Sequence, residues 1–427
     1  GETALKQSDI NPWGHAIDKW GQSFITDGAG GQGPHYTFPG AAFRNSVGAP
    51  RTLKGLVPGK PNGTGCEIIS GRHFPLEWNG SIVENDFRAN RTVRYEISES
   101  GSGYKAKEVQ TLVHSSRQTY RPVDLKMGPD GALYIVDWYN AIIDHGEVDF
   151  HHPLRDKSHG RIWRLRAKNS PLIEKIDINA SSIEQLLDLL KKPEMHTRNQ
   201  AKRELVNRKI TEVIPKIDTW LGNLSKEGDE SDHHVLEALW LRASLRAPDE
   251  KLLTRVLNSK EAKSRAAGVR ILSHWFNYIK KPYDLLRKTV KDPNPRVRLE
   301  TVNALREINS LEATNIALTA LEMPSDIWLD YGLWMVARES RNHWLPALQS
   351  GIEIFNGDQN QLRFALEAAG DSRAISRLVD LLKEIKIDHQ NIKNILKTIA
   401  GLGNSKELDI ALSIATSNPI LLDSIAS

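Results

Sequence analysis

Ionisable side chains crowd the loop that follows Asp137. Asp144, His145, Glu147, Asp149, His151, His152, Arg155, Asp156, His159 and Arg161 all fall there, with Trp138 and Tyr139 at its start. Imidazoles and carboxylates at this density could ligate zinc, iron or manganese. The spacing matches no metal motif, and adjacent histidines do not easily share one ion. A salt-bridge network involving Arg155, Asp156 and Arg161 is therefore expected, and no metal is assigned. A carboxylate beside aromatic rings suits sugar binding, because rings offer flat apolar faces while the acid takes hydroxyls. Asp137 is thus a candidate catalytic residue, and Trp138 and Tyr139 are candidate substrate contacts. Arg121 and Asp124 open the same segment and join them, Arg121 for binding and Asp124 for catalysis. Either acid could instead cap a turn.

Other candidates lie upstream. His15, in NPWGH, follows a turn, and imidazole titrates near neutral pH, so it suits a general base. It equally suits a structural donor to backbone. The pair Arg72-His73 lies in a loop: His73 is a second candidate base, and Arg72 a candidate ligand contact. Arg88 could clamp an anionic or polyhydroxyl ligand, or pair with Asp86 to fix its turn. The run Asp27-Gly28-Ala29-Gly30-Gly31 lacks the strand-then-helix context of a phosphate loop and reads as a connection.

These residues need strands and turns to place them. Val123, Leu125 and Met127 alternate with polar or small residues, Gly128-Pro129-Asp130-Gly131 turns the chain, and Leu133 and Ile135 resume the alternation. Pro129 presets φ and Gly131 can take φ > 0. That is a hairpin, and Ile162 to Leu165 return as a third strand. A second unit spans Glu67 to Val113, with strands near 67–71, 81–86, 91–98 and 104–113. A first runs from Trp13 to Asp27. Three sheet units with ionisable loops are the grammar of a β-propeller face. A propeller closes with at least about four blades, so further blades in a longer parent chain are expected to cover the open edges.

Composition then shifts. Twenty-one of the 30 glycines precede residue 167. Beyond Pro171 the chain turns to Leu, Ile, Ala, Lys, Arg and Glu at helical spacing, with Ser181 or Ser182 as the first helix cap. Arg198, Arg265 and Arg298 recur at matching places, spaced 67 and 33 residues apart. A unit of about 33 residues with one helix pair each is the pattern of a HEAT-like α-solenoid. These arginines and Arg296 are expected to bond carboxylates or helix C-termini of the preceding repeat, and Trp240, Trp275, Trp328, Trp334 and Trp344 to lie in the core. The expected class is β + α multidomain: a partial β-propeller of about three blades over 1–168, then an all-α HEAT-like solenoid over 169–427.

Bulk properties set limits. A formal charge of +4 over 427 residues gives no case for nucleic acid. The single cysteine, Cys66, excludes an intrachain disulfide and a c-type haem held by two cysteines. No apolar run is long enough to span a membrane, and no signal peptide is visible.

The stretches NPWGHAIDKWGQSFITDGAGG (11–31), FPGAAF (38–43), EIISGRHFPLEWNGSIVENDFRANRTVRYE (67–96), RPVDLKMGPDGALYIVDWYN with HGEVDF and RDKSHGRIWR (121–164), and MPSDIWLDYGLWMVARESRNHWLPAL (323–348) resemble the membrane-bound dehydrogenase propellers of planctomycete-type bacteria. Those are relatives of the glucose/sorbosone dehydrogenases. The resemblance implies an exported, extracytoplasmic protein whose propeller is followed by HEAT-like repeats and a cytochrome c domain. It implies oxidation of a sugar or related alcohol, with pyrroloquinoline quinone and calcium as cofactors and electrons passed to a haem outside this chain. The missing blades and the cytochrome domain would be its partners, with a carbohydrate ligand on the propeller and a protein on the solenoid. The other reading, from a different class, is a non-catalytic scaffold that binds carbohydrate or protein.

Overall fold

The computed structural model describes residues 11–28, 33–43, 51–57, 59, 63–224, 231–384 and 389–416, with backbone alone for 382–384 and 389–391. Among them are three antiparallel sheets and fifteen α-helices, a mixed β and α protein. The chain forms two compact units, Gly1–Ile271 and Leu272–Ser427. Secondary structure changes from strand to helix earlier, between Leu165 and Ile183.

Each sheet is a meander whose strands lie in chain order. The first holds β1 (Pro12–Ile17), β2 (Ser23–Asp27) and β3 (His35–Thr37). The second holds β4 (Gly63–Ile68), β5 (Ile82–Asp86), β6 (Arg91–Ser100) and β7 (Gly103–His114). The third holds β8 (Pro122–Met127), β9 (Leu133–Asp137) and β10 (Arg161–Leu165). The β8–β9 turn forms as its sequence directs: Gly131 adopts φ +79° and its amide donates to the Gly128 carbonyl at 3.0 Å. The three-residue β3 carries no alternation and is not foreseen by the sequence reading.

The leading strands β1, β4 and β8 lie side by side. Their backbones approach so closely that a Cβ on Gly14 would meet the Thr64 carbonyl, and one on Gly65 the backbone of Asp124. Thr64 stitches the strands, donating to the Pro122 carbonyl at 2.9 Å and accepting from Thr26 Oγ1 at its own carbonyl. Phe24, Tyr36 and Tyr104 fill the space between the first two sheets, with ring centroids 5.0 to 5.8 Å apart. Ile69, Phe74, Val83, Leu125, Met127, Leu133 and Ile135 fill the space between the second and third.

The helices of the first unit are α1 (Ile183–Leu189), α2 (Met195–Asn207), α3 (Ile210–Asn223), α4 (Ser231–Ser244), α5 (Glu250–Leu257) and α6 (Ala262–His274), whose last residues enter the second unit. Ser182 caps α1 in a reciprocal box with Gln185, which satisfies two amides that the helix cannot. Arg198 donates to the Lys192 and Pro193 carbonyls at 2.7 and 3.0 Å, and Arg265 to those of Ser259 and Lys260 at 2.9 and 3.1 Å.

The second unit holds α7 (Pro282–Thr289), α8 (Pro295–Ile308), α9 (Leu311–Leu318), α10 (Ile327–Glu339), α11 (Arg341–Gln349), α12 (Gln359–Ala369), α13 (Ile375–Glu384), α14 (His389–Leu402) and α15 (Ser405–Thr416). There Arg298 repeats the device on Asp292 and Pro293 at 2.8 and 3.1 Å. The shared partner is thus the turn backbone five and six residues earlier. Trp275, Trp328 and Trp344 are buried, whereas Trp240 and Trp334 are half-buried beneath Lys202 and Arg338.

Candidate functional site

Asp137 ends β9 with its carboxylate 0% exposed. Oδ1 accepts from the Arg121 and Tyr139 amides at 2.8 and 3.0 Å, and Oδ2 from Arg161 Nε and Trp163 Nε1 at 2.8 and 2.9 Å. The Arg161 guanidinium lies 4.2 Å over the Tyr139 ring. Arg121 is buried and donates to the carbonyls of Phe87, Arg88, Asn140 and Ala141; burial lowers its pKa. Asp137, Arg121 and Tyr139 therefore come together, but they face one another and the backbone. Four donors leave the Asp137 carboxylate fully occupied.

His73 and Arg72 hold the chain where strand gives way to helix. His73 Nδ1 bonds the Pro171 carbonyl at 2.9 Å and its Nε2 accepts from the Ala167 amide at 3.0 Å. Both nitrogens are engaged, so no lone pair is left to take a substrate proton. Arg72 grips Glu194 at 2.8 and 3.1 Å. Arg88 is exposed in the β5–β6 turn. The Asp86 carboxylate pairs with Arg91 at 3.1 Å rather than with Arg88, because Asp86 and Arg91 are direct cross-strand partners.

The loop after Asp137 folds on itself. Arg155 donates to the carbonyls of Asp144, His145, Val148 and Asp149, and Asp156 accepts from the His159 ring at 2.8 Å. Arg155 thus takes carbonyls where a salt bridge is expected, while Asp156 pairs with His159 and Arg161 with Asp137. No group of three His, Cys, Asp or Glu suited to a metal occurs among the described residues. Of the glycine-rich run, Ala29 to Gly31 lie outside them.

The remaining candidates meet at the leading strands. His15 on β1 is exposed and bonds Ser23 Oγ at 2.9 Å through Nε2. Partial desolvation, then the charge of Lys126, lowers its pKa. On β8, Lys126 lies 3.9 Å from Asp124 and 4.0 Å from Glu67 of β4, and donates to the Cys66 carbonyl at 3.3 Å. Desolvation raises the pKa of Glu67. Asp124 and Lys126 are each more than half exposed at the side chain. So β1, β4 and β8 present His15, Glu67, Asp124 and Lys126 at one place. Sequence reasoning missed Glu67 and Lys126. The signal was there, since Asp124 and Lys126 are the outward positions of an alternating strand, two residues apart.

Asp124 pairs across the sheet with Val136. The polar group therefore adjoins a shallow depression of about 480 Å³ whose apolar lining is Val123, Val136, Trp138 and Ile162, with Asp137, His159 and Arg161 as its polar lining. Trp138 is 42% exposed there. A polar edge beside an exposed indole can hold hydroxyls on one side and a sugar ring face on the other. Calcium asks for about six to eight oxygen ligands. Here Lys126 sits between the two carboxylates, so the group does not fit that ion. A quinone bearing several carboxylates would face Glu67 and Asp124, and does not fit either.

Comparison with known proteins adds little to this geometry. Residues 59–169 match a Domain of unknown function (DUF7133). No curated protein matches the chain. Among solved structures, a protein described as an oxidoreductase (glucose dehydrogenase) from Thermus thermophilus is similar at 19% identity and TM-score 0.26, covering 36% of this chain and 44% of its own. The chain thus spans less than half the length of that relative. Two engineered proteins are similar at 16% and 17% identity with TM-scores of 0.28 and 0.24, covering 58% and 56% of this chain and 69% and 97% of their own.

Proposed function

We propose that this chain is a partial β-propeller followed by HEAT-like repeats, divided near residue 168, and that its leading-strand face binds a sugar or related polyhydroxyl ligand without oxidising it unaided. Three meander sheets with adjacent leading strands support the propeller. The recurring arginine-to-turn device in α2, α6 and α8 supports the repeats. One observation carries the binding reading: His15, Glu67, Asp124 and Lys126 stand together at least partly open, beside Trp138, while Asp137, Arg121 and His73 are consumed by internal bonds.

In this reading Asp124 and Glu67 accept ligand hydroxyls, Lys126 donates, and Trp138 stacks on the ring. His15 favours a second reading. Its lowered pKa keeps it neutral and able to accept a proton at pH 7. A dehydrogenase role would then need a redox group supplied from outside this chain, in a longer exported parent with a cytochrome domain.

Calorimetric titration with a panel of neutral sugars tests the binding, and dye-linked oxidation with and without added quinone and calcium tests turnover. Expected are Kd values on the order of 1 mM, about −4 kcal/mol, weakened by Asp124→Asn and by Trp138→Ala, with no turnover. Absence of saturable binding to any sugar overturns the proposal. Turnover lost in His15→Ala replaces it with the second reading.

A further inference from the structure

A second cavity meets the leading strands only at Ile68, the last residue of β4. It has a volume of about 690 Å³ and sits between the first two sheets, the turn that joins α1 to α2, and helices α2, α4 and α6. That is within the usual range for a small-ligand site. Its apolar lining includes Trp20, Phe24 and Tyr104, and Lys19, Lys192 and Lys263 stand among the polar residues around it.

The polar groups divide into two kinds. Arg198 is turned away, bonded to Glu237 at 2.9 Å and to two turn carbonyls. Asp18 folds its carboxylate onto its own turn, accepting from the Trp20 and Gln22 amides at 2.8 Å. The lysines lie where the cavity opens to solvent. Lys192 is exposed, and Lys263 meets Glu99 at a loose 3.5 Å with both side chains about a third or more exposed. Lys19 lies 5.2 Å and Lys263 6.0 Å from the Trp20 ring centre. The buried His233 fixes this corner: its Nε2 bonds the Lys19 carbonyl at 2.9 Å and its ring meets Trp20 edge-on at 5.0 Å. Cations held over an indole, above an aromatic floor, match a ligand with both a negative end and a flat body.

We propose that this cavity is a binding site for a small organic anion, its aromatic or apolar body against Trp20, Phe24 and Tyr104, and its carboxylate, sulfate or phosphate among Lys19, Lys192 and Lys263. The site is independent of the leading-strand face. Bound anion displaces the weak Lys263–Glu99 contact and gains from the same lysines that already crowd Trp20.

The test titrates the full chain with 1-naphthalenesulfonate, following Trp fluorescence and heat, with naphthalene-1-methanol as the neutral counterpart. Saturable 1:1 binding of the sulfonate is expected, about tenfold tighter than the neutral compound and weaker at high salt. The exposed double variant Lys19→Glu/Lys192→Glu is expected to lose at least about tenfold in affinity. Lys251→Glu, on the exposed side of α5, is expected to bind as the unaltered chain does. Circular dichroism verifies that both variants fold. No saturable binding overturns the proposal. Equal affinity in the double variant and in Lys251→Glu overturns the location. Equal affinity for the neutral compound overturns the anionic class. Competition by inorganic phosphate or by benzoate then separates a phosphate-type ligand from a carboxylate-type one.

Discussion

Asp137→Asn separates the architectural from the catalytic meaning of the most conspicuous carboxylate in the chain. The native oxygens take four donors: two backbone amides, one guanidinium and one indole. An asparagine keeps one oxygen. If it serves the Arg121 and Tyr139 amides, its NH₂ confronts Arg161 and Trp163, donor against donor. Two bonds to a charged acceptor are lost, about 1.5–3 kcal/mol each. Breaking a buried ion pair costs about 3–5 kcal/mol when the partner stays buried. Arg161 keeps 28% of its side chain exposed, so part of its charge regains water, and about 3 kcal/mol is expected. Urea denaturation followed by Trp fluorescence and far-UV circular dichroism measures it. Trp163→Phe removes one donor and should soften the penalty in a double-mutant cycle. A loss below about 1 kcal/mol in Asp137→Asn, together with lost sugar binding, would refute the reasoning and return Asp137 to the site.

Three further outcomes follow from buried groups. Burial, then the neighbouring Asp86 and Glu108, pushes the Glu84 pKa up to about 8. The folded state therefore holds a proton that the unfolded chain releases near pH 4.5, and stability is lost as pH rises between about 4.5 and 8. Glu84→Gln should be more stable than the unaltered chain at pH 8 by at least about 1 kcal/mol, with the gap closing at pH 5; a constant gap would refute this. Desolvation lowers His35 and His233 to about 4, so the unfolded chain takes up protons first and stability falls as pH drops from about 6.5 towards 4. His233→Gln should flatten that limb, and an unchanged slope counts against it. Among the turn arginines, Arg198→Ala should cost most, about 3–5 kcal/mol, because it strands Glu237, which then keeps only Lys202 at 2.7 Å and His233 at 3.7 Å. Arg298→Ala and Arg265→Ala should cost about 1–3 kcal/mol each, Arg298 the more since it also bonds Pro324 at 2.7 Å. The reverse order in thermal denaturation would sink that ranking.

Local devices were the legible ones. The Gly128–Gly131 turn, the Ser182 cap and the recurring Arg198, Arg265 and Arg298 each act within a few residues, so their spacing carries the information. Asp86 shows where that stops. Arg88, two residues on, looks like its partner in the sequence, but the pairing of β5 with β6 sets Arg91 opposite it. Asp137 shows the same limit for chemistry. Its neighbours in sequence, Trp138 and Tyr139, suggested sugar, while the groups that consume it, Arg121 and Arg161, lie 16 and 24 residues away. Glu67 and Lys126 were passed over for the opposite reason. Alternation sets Lys126 outward beside Asp124, but nothing local joins it to Glu67, and the two become a pair only because β4 lies beside β8.

Saturation separates the two kinds of polar cluster in this protein. Turns and loop ends need every donor and acceptor met, since an unmet buried group costs about 1–3 kcal/mol. Asp137, Arg121, His73 and Arg155 meet that need, and for the same reason have nothing left to offer a ligand. A binding face needs groups that solvent, and so a ligand, can still reach. The leading strands come nearer to that second condition, since Asp124 and Lys126 are each more than half exposed and their ion-pair contacts are loose, at 3.9 and 4.0 Å. Their glycines let the backbones approach, and strand alternation sends the side chains at the next positions outward. A Cβ on Gly65 would meet both the backbone and the carboxylate of Asp124. Replacing Gly65 would then disturb the polar face and the packing at once, which is why the face belongs to the fold rather than to a loop laid over it.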